Sequence, residues 1–207
     1  SRGVPMSQYI IMTDSSGDLP AGLAAELELE VLPLSVLIDG KSYVNYLDER
    51  DITFADCYAA LRAGRNATTS AVNVEAFVQA MEPHLQAGED ILYLGFSSAL
   101  SGTYNAGAVA AQQLAEKYPE RKLYAVDTLS ASMGQGLLVY LTVQQKRAGA
   151  TIEQARDYAE AQKLHLCHWF TVDDLNHLHR GGRVSATSAV LGTVLNIKPV
   201  LHMDNEG

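Results

Sequence analysis

Residues 90–104 read Asp90-Ile91-Leu92-Tyr93-Leu94-Gly95-Phe96-Ser97-Ser98-Ala99-Leu100-Ser101-Gly102-Thr103-Tyr104, and the order of chemistry along them decides the fold. An apolar run over 90–96 predicts a strand, a hydroxyl-rich turn follows over 97–101, and an Ala-rich stretch over 103–118 predicts a helix. Working outward, the same order recurs. Residues 9–12 are apolar and end in Thr13-Asp14-Ser15-Ser16, and residues 20–27 are rich in Ala, Leu and Glu. On the other side, 123–126 lead through Asp127-Thr128-Leu129-Ser130 into a helical stretch over 136–147. Between these lie a β-branched strand over 31–38, a turn at Asp39-Gly40 and a returning strand over 41–46. Residues 53–62 and 74–87 carry apolar side chains at helical spacing, separated by Asn66-Ala67-Thr68-Thr69-Ser70, which reads as a polar loop.

Strand and helix thus alternate four times, which predicts an α/β fold: a mostly parallel sheet with flanking helices, and ligands beyond the carboxyl ends of the strands. From about Thr151 the character changes. A helix runs through 164, an extended piece over 167–172 and a Gly-Gly-Arg turn follow, and residues 189–201 are apolar. We draw an α/β domain over 6–163 and the start of a smaller α+β domain over 164–207. Residues 198–203 read as a strand and 204–207 as the turn after it, with no returning partner. The second domain is therefore expected to be incomplete in this chain, the front part of a longer protein. Residues 1–5, ahead of Met6, read as an expression scar and are left out of this reasoning.

The chain of 207 residues is 47% hydrophobic, enough to bury a core, and carries a formal net charge of −9. That balance argues against a nucleic-acid partner, which needs clustered Lys and Arg. Cys57 and Cys167 lack CxxC spacing and read as reduced thiols, and no run is long and apolar enough for an integral membrane segment, so a cytoplasmic location is expected.

Four predicted loops present hydroxyls: Thr13, Ser15 and Ser16; Thr68, Thr69 and Ser70; Ser97, Ser98 and Ser101; Thr128 and Ser130. Each alone reads as a helix cap. Their convergence on one sheet edge, beside helix N-termini, instead describes a neutral receptor for a carboxylate or phosphate. Gly95-Phe96-Ser97-Ser98-Ala99 approaches the G-x-S-x-G nucleophile elbow, which makes a serine hydrolase or acyltransferase acting through Ser97 or Ser98 the alternative. Ala99 in place of the last glycine, and no acid and histidine at recognisable spacing, weigh against it. His165, His168, His177 and His179 match no zinc template, so no metal is expected, and Gly134-Gln135-Gly136 is too short for a dinucleotide fingerprint, so no cofactor is expected. It reads as a tight turn into its helix. Asp173-Asp174 reads as a cap or a carboxylate pair, and Arg180-Gly181-Gly182-Arg183 as a basic turn suited to an anionic group or partner.

Taken in order, residues 13–20 (TDSSGDLP), Thr69-Ser70, residues 97–104 (SSALSGTY), Asp127-Thr128, residues 172–175 (VDDL), residues 181–185 (GGRVS) and residues 198–201 (KPVL) closely resemble the DegV family of fatty-acid-binding proteins. The resemblance spans nearly the whole chain. It implies two domains, an apolar tunnel holding a long-chain fatty acid, and a carboxylate bound by Thr69 with Thr68 or Ser70 and by Ser98 with Ser97. It further implies that Asp14 and Ser15 support the head-group pocket. By the same resemblance the chain is a carrier with no catalytic residue of its own, presenting the acid to a separate fatty-acid kinase that makes an acyl phosphate for phospholipid synthesis. Arg183 is then the residue facing the kinase. A regulatory protein using its lipid as a signal would share the pocket. Two departures stand out. Ala71-Val72 follow Thr69-Ser70 where the family has Gln-Pro, and the family's head-group histidine in a Gly-rich stretch has no counterpart in this sequence.

Overall fold

A computed structural model describes residues 8–185 and 198–207. The chain opens with β1 (Tyr9–Asp14), a 3-10 turn (Ser15–Gly17), α1 (Ala21–Glu26), β2 (Glu30–Leu32), β3 (Ser35–Ile38) and β4 (Lys41–Val44). It continues through α2 (Phe54–Arg62), β5 (Ala67–Ser70), α3 (Val74–Gln86), β6 (Asp90–Gly95), α4 (Thr103–Lys117), β7 (Leu123–Asp127), α5 (Ser132–Arg147) and α6 (Ile152–Gln162). Beyond these lie β8 (Trp169–Phe170), α7 (Leu175–Arg180) and β9 (Leu201–His202).

The fold is α/β. Four strands in the order β2-β1-β6-β7 form a parallel sheet flanked by helices. Successive residues of a strand point to opposite faces, and here both faces are apolar. Tyr9 and Ile11 of β1 and Leu92 and Leu94 of β6 pack with Leu138, Val139 and Val143 of α5 and Ile152, Ala155 and Ala159 of α6. Met12 and the β6 residues Ile91 and Tyr93 pack the other way, onto Phe77 and Met81 of α3 and Ala110 and Leu114 of α4. Connections leave β1 and β6 towards opposite edges of the sheet, so the switch point lies between their carboxyl ends, the place where folds of this kind bind ligands.

A second sheet, β4-β3-β5, is antiparallel, with Val36 opposite Tyr43 on one side and opposite Thr69 on the other. This corrects the sequence reading twice. The apolar stretch 31–38 is broken at Pro33 into β2 of the first sheet and β3 of the second, and Ala67–Ser70 is a strand rather than a loop. Threonine suits a pleated backbone, and β5 lacks only the apolar alternation that marks a strand in sequence.

Contacts divide the chain into two compact units, one reaching Leu166 and including Gly207, the other Cys167–Glu206. In the second, β8 and β9 pair antiparallel, Trp169 opposite His202. The strand near 198–203 was expected to be unpaired; its partner lies some thirty positions upstream, out of reach of a hairpin reading. His177 and His179 belong to α7, and Asp174 caps that helix by accepting from Asn176 N. Of the apolar run 189–201, residues 189–197 lie outside the described residues.

What holds the carboxyl end of the sheet is one carboxylate. Asp14 is 1% exposed. Its Oδ2 accepts from Tyr93 Oη at 2.8 Å and Phe96 N at 3.0 Å, and its Oδ1 accepts from Gln135 Nε2 at 3.1 Å and Ser16 N at 3.2 Å, with Ser16 Oγ also against it. Burial and the adjacent Asp14 charge push the Tyr93 hydroxyl far above the ordinary tyrosine range, so it stays a donor. The ring is fixed in turn by α4: a Cβ on Gly107 would lie 2.6 Å from Tyr93 Cε1 and 3.0 Å from Phe77 Cε1. Gly136 plays the same part for α5, where a Cβ would meet the Gly17 carbonyl at 2.8 Å. Gly134-Gln135-Gly136 is therefore the first part of a helix brought close to the 3-10 turn, and not a turn itself.

Gly107→Ala is expected to destabilise the protein by about 1–3 kcal/mol through overpacking against a ring that cannot withdraw, whereas Gly22→Ala, with open space at its Cβ, should stabilise by about 0.5–1 kcal/mol. Denaturant unfolding of both variants separates the two. Asp14→Asn should cost at least about 2 kcal/mol, and more than Tyr93→Phe, because an amide nitrogen would face donors that the carboxylate now satisfies, while removing Tyr93 Oη leaves the other donors in place. Equal midpoints for these two variants would remove Asp14 from its central place.

Candidate functional site

The loops after β1, β6 and β7 meet at the switch point, and their hydroxyls divide into those engaged by the protein and those that are not. In the first loop, Thr13 Oγ1 donates to Leu94 O at 2.8 Å and accepts from Gln135 Nε2 at 3.1 Å. Ser15 Oγ accepts from Leu34 N at 2.9 Å and Asn45 Nδ2 at 3.3 Å, tying the small sheet to the large one. Ser16 Oγ lies between Asp14 and Gln135 Oε1, 2.8 Å from the latter. Asp14 and Ser15, expected as pocket support, are thus buried scaffold, and Asp14 reaches the ligand loop through Phe96 N, one residue before Ser97.

In the β6 loop, Ser97 is fully buried; its Oγ accepts from Ala99 N at 3.3 Å and donates to Gly207 O at 3.0 Å. Ser98 is half-buried. Its N–H donates to Asp127 Oδ1 at 3.2 Å, and its hydroxyl has no hydrogen-bond partner among the described residues. Ser101 Oγ accepts from Thr103 N at 3.2 Å and lies 3.0 Å from Thr103 Oγ1, which accepts from Val72 N at 3.3 Å. That last bond pins the chain just after β5 beside the serine loop. In the β7 loop, Thr128 Oγ1 donates to Gly95 O at 2.7 Å and accepts from Ser130 N at 3.3 Å. Lys163 Nζ reaches in from the end of α6 to donate to Asp127 O at 3.2 Å and pairs with Glu160 at 2.7 Å.

Thr68, Thr69 and Ser70 are exposed, and no hydrogen bond engages their side chains. Because β5 is pleated, Thr69 projects from one face and Thr68 and Ser70 from the other, so the three cannot all address one carboxylate. Backbone strain gathers at the same end of the sheet. Asp18, Leu129 and Ser132 hold left-handed φ of 52°, 52° and 51°, and Ser132 Oγ donates to Asp18 Oδ2 at 2.7 Å. Burial raises the Asp18 carboxyl.

The nucleophile-elbow reading finds no support here: neither Ser97 nor Ser98 has the positive φ of a strained elbow, and no histidine bonds either hydroxyl among the described residues. No group of three or more His, Cys, Asp or Glu among the described residues could hold a metal ion, and none of the described helices is long and apolar enough to cross a membrane. His168 is half-desolvated, which lowers its ring below the usual histidine range, and His165 Nδ1 and His179 Nδ1 contact backbone carbonyls. Arg183 lies in the second unit, in the turn after α7, with its N–H bonded to Leu178 O at 2.9 Å and its guanidinium against Gly181 O. Sequence reasoning missed Gln135, Tyr93 and Lys163. The first two carry the support of the site through partners far along the chain, and only the burial of a polar side chain in an apolar helix or strand could have marked them.

The comparisons with known proteins fit this geometry. The family model described as "Uncharacterised protein, DegV family" matches residues 8–207. A DegV domain-containing protein of Clostridium perfringens is 45% identical over 202 residues, which are 98% of this chain and 69% of that protein. Among solved structures, a fatty-acid-binding DegV family protein from Thermus thermophilus is similar at 32% identity and a TM-score of 0.82, covering 95% of this chain and 68% of that one. A stearic-acid-binding protein from Eubacterium ventriosum is similar at 27% identity and a TM-score of 0.87, covering 96% of this chain and 68% of that one. With the model matched from residue 8 to 207 and the switch-point loops in place, this chain belongs to the DegV family.

Proposed function

We propose that this protein binds a long-chain fatty acid, holds its carboxylate with side-chain hydroxyls at the switch point, and presents it to a separate fatty-acid kinase for acyl-phosphate formation. The observation that carries the reading is Ser98: a half-buried hydroxyl with no partner among the described residues, in the loop at the switch point, in a chain similar to proteins that bind stearic and other fatty acids. A carboxylate satisfies such a donor, and a neutral receptor leaves no buried cation stranded when the site empties. Each buried CH2 of the tail adds about 0.8 kcal/mol, so an acyl chain of about sixteen carbons binds tightly even with a modest head-group contribution.

Ser98 is the principal donor in this reading and Ser97 its neighbour, whose hydroxyl must exchange the Gly207 carbonyl for the ligand. β5 supplies either Thr69 or the pair Thr68 and Ser70, according to which face of the strand meets the acid. The chain acts as a carrier, with the chemistry on the kinase. Arg180 and Arg183 give a basic turn to an otherwise acidic chain, and Arg183 is assigned to the kinase contact.

Mass spectrometry of an organic extract of the purified protein is expected to show a fatty acid of about C14 to C18, the size range of common membrane acids, at about one equivalent. Ser98→Ala should weaken binding of stearate about tenfold, the loss of one hydrogen bond to a charged group; wild-type affinity in that variant would remove the head-group assignment. Of Thr69→Ala and the double variant Thr68→Ala with Ser70→Ala, one should weaken binding and the other leave it unchanged. Arg183→Glu should leave acyl affinity intact and lower the rate at which the kinase phosphorylates the carried acid.

A further inference from the structure

The buried polar side chains of this protein are Thr13, Asp14, Ser15, Asp90, Ser97, Thr103, Thr128, Gln135, Thr142 and Ser130 among the described residues. All but the last have a hydrogen bond to the side chain: those of Thr13, Asp14, Ser15, Ser97, Thr103, Thr128 and Gln135 are given above, Asp90 Oδ1 accepts from Lys122 N at 2.9 Å, and Thr142 Oγ1 donates to Leu138 O at 2.8 Å. Ser130, at 2% exposure, has none. A side chain so buried, whose hydroxyl is engaged by no described residue, leaves a donor open to an occupant, water or ligand. Nor is its oxygen sealed inside the packing: the one fully enclosed side-chain polar atom lacking a partner among the described residues is His168 Nδ1.

The surroundings specify what the occupant is. The Ser130 carbonyl accepts from Ser97 N at 2.9 Å, which sets Ser130 beside the serine loop. The sixteen-residue helix α5 begins two residues later, and its N-cap, Ala131, supplies no capping side chain; the Asp18 carboxylate stands at its first residue through the Ser132 hydroxyl and not through a backbone N–H. A neutral donor next to a helix N-terminus without a side-chain cap suits an oxyanion. We propose that Ser130 is a direct ligand of the bound carboxylate, a further binding residue alongside Ser98, donating its hydroxyl proton to a carboxylate oxygen. This rests on the fatty-acid reading and adds to it the β7 loop as a contributor to the head-group site.

The test compares stearate with the uncharged stearyl alcohol on wild-type protein, Ser98→Ala, Ser130→Ala and Ser130→Cys, together with the unfolding midpoint of each ligand-free protein. A hydroxyl with no partner in the unliganded fold should be removable without loss, so Ser130→Ala is expected to leave the midpoint unchanged or raised. Its affinity for stearate should fall about tenfold while its affinity for the alcohol changes far less, and Ser130→Cys, with a weaker donor of similar size, should fall in the same direction. The proposal is overturned if Ser130→Ala binds stearate as the wild type does, or if acid and alcohol weaken alike, which would mark a packing role. Failure confined to Ser130 while Ser98→Ala still loses stearate leaves the carrier reading standing; wild-type protein that binds no fatty acid overturns both.

Discussion

A carboxylate buried with no cation beside it is among the more expensive groups a protein can contain, and Asp14 is such a group at the end of β1. It is tolerable because donors surround it: a phenol from β6, an amide from α5, and backbone N–H groups from the 3-10 turn and the β6 loop. Each comes from a different element, so satisfying the charge fixes where β1, β6 and α5 stand relative to one another. The close approaches allowed by Gly107 and Gly136 follow from the same requirement, since Tyr93 and Gln135 reach Asp14 only if α4 and α5 come within van der Waals distance of their neighbours.

This arrangement explains how a loop of small polar residues is held in a fixed shape. The Phe96 N–H on Asp14, the Ser98 N–H on Asp127 and the Ser97 N–H on the Ser130 carbonyl hold the backbone of the serine loop from three sides. With its backbone so held, the loop carries the Ser98 hydroxyl without a partner among the described residues, and in the proposed reading the ligand meets a donor already ordered. Hydroxyls that look equivalent in the sequence therefore have different work: Thr13, Thr128 and Thr103 close the fold, and Ser98 is available.

The elements most legible in the sequence were those with a continuous apolar run or a marked cap. β1, β6, β7, α3 and α4 fall within a few residues of where periodicity places them. β5 was misread because its residues are all small or polar, and what makes it a strand is the pairing with β3, a property of the partner. The start of α5 was set too late because two glycines there signal a turn locally, while the use of Gly136 is to let the helix approach Gly17. The site divides the same way. Its hydroxyl loops could be listed from the sequence, but which hydroxyls are engaged depends on bonds between residues as far apart as Asp14 and Gln135, 121 positions along the chain, and no local pattern encodes those.

The seam between the two sheets of the first unit has a mechanical meaning. Within the parallel sheet, strands are joined by ladders and by the Asp14 cluster, but the hydrogen bonds that reach across to the small sheet end on two side-chain hydroxyls, Ser15 and Thr103. Parting β1 from β6 means breaking a cooperative array, whereas parting the small sheet means releasing a few bonds, each with water ready to replace it. By this count of bonds the first unit is stiffer on the side of the serine loop, where the proposed head-group site lies, than on the side where β5 stands. A long, thin guest could be admitted by that compliance without disturbing the stiff wall against which it is finally aligned.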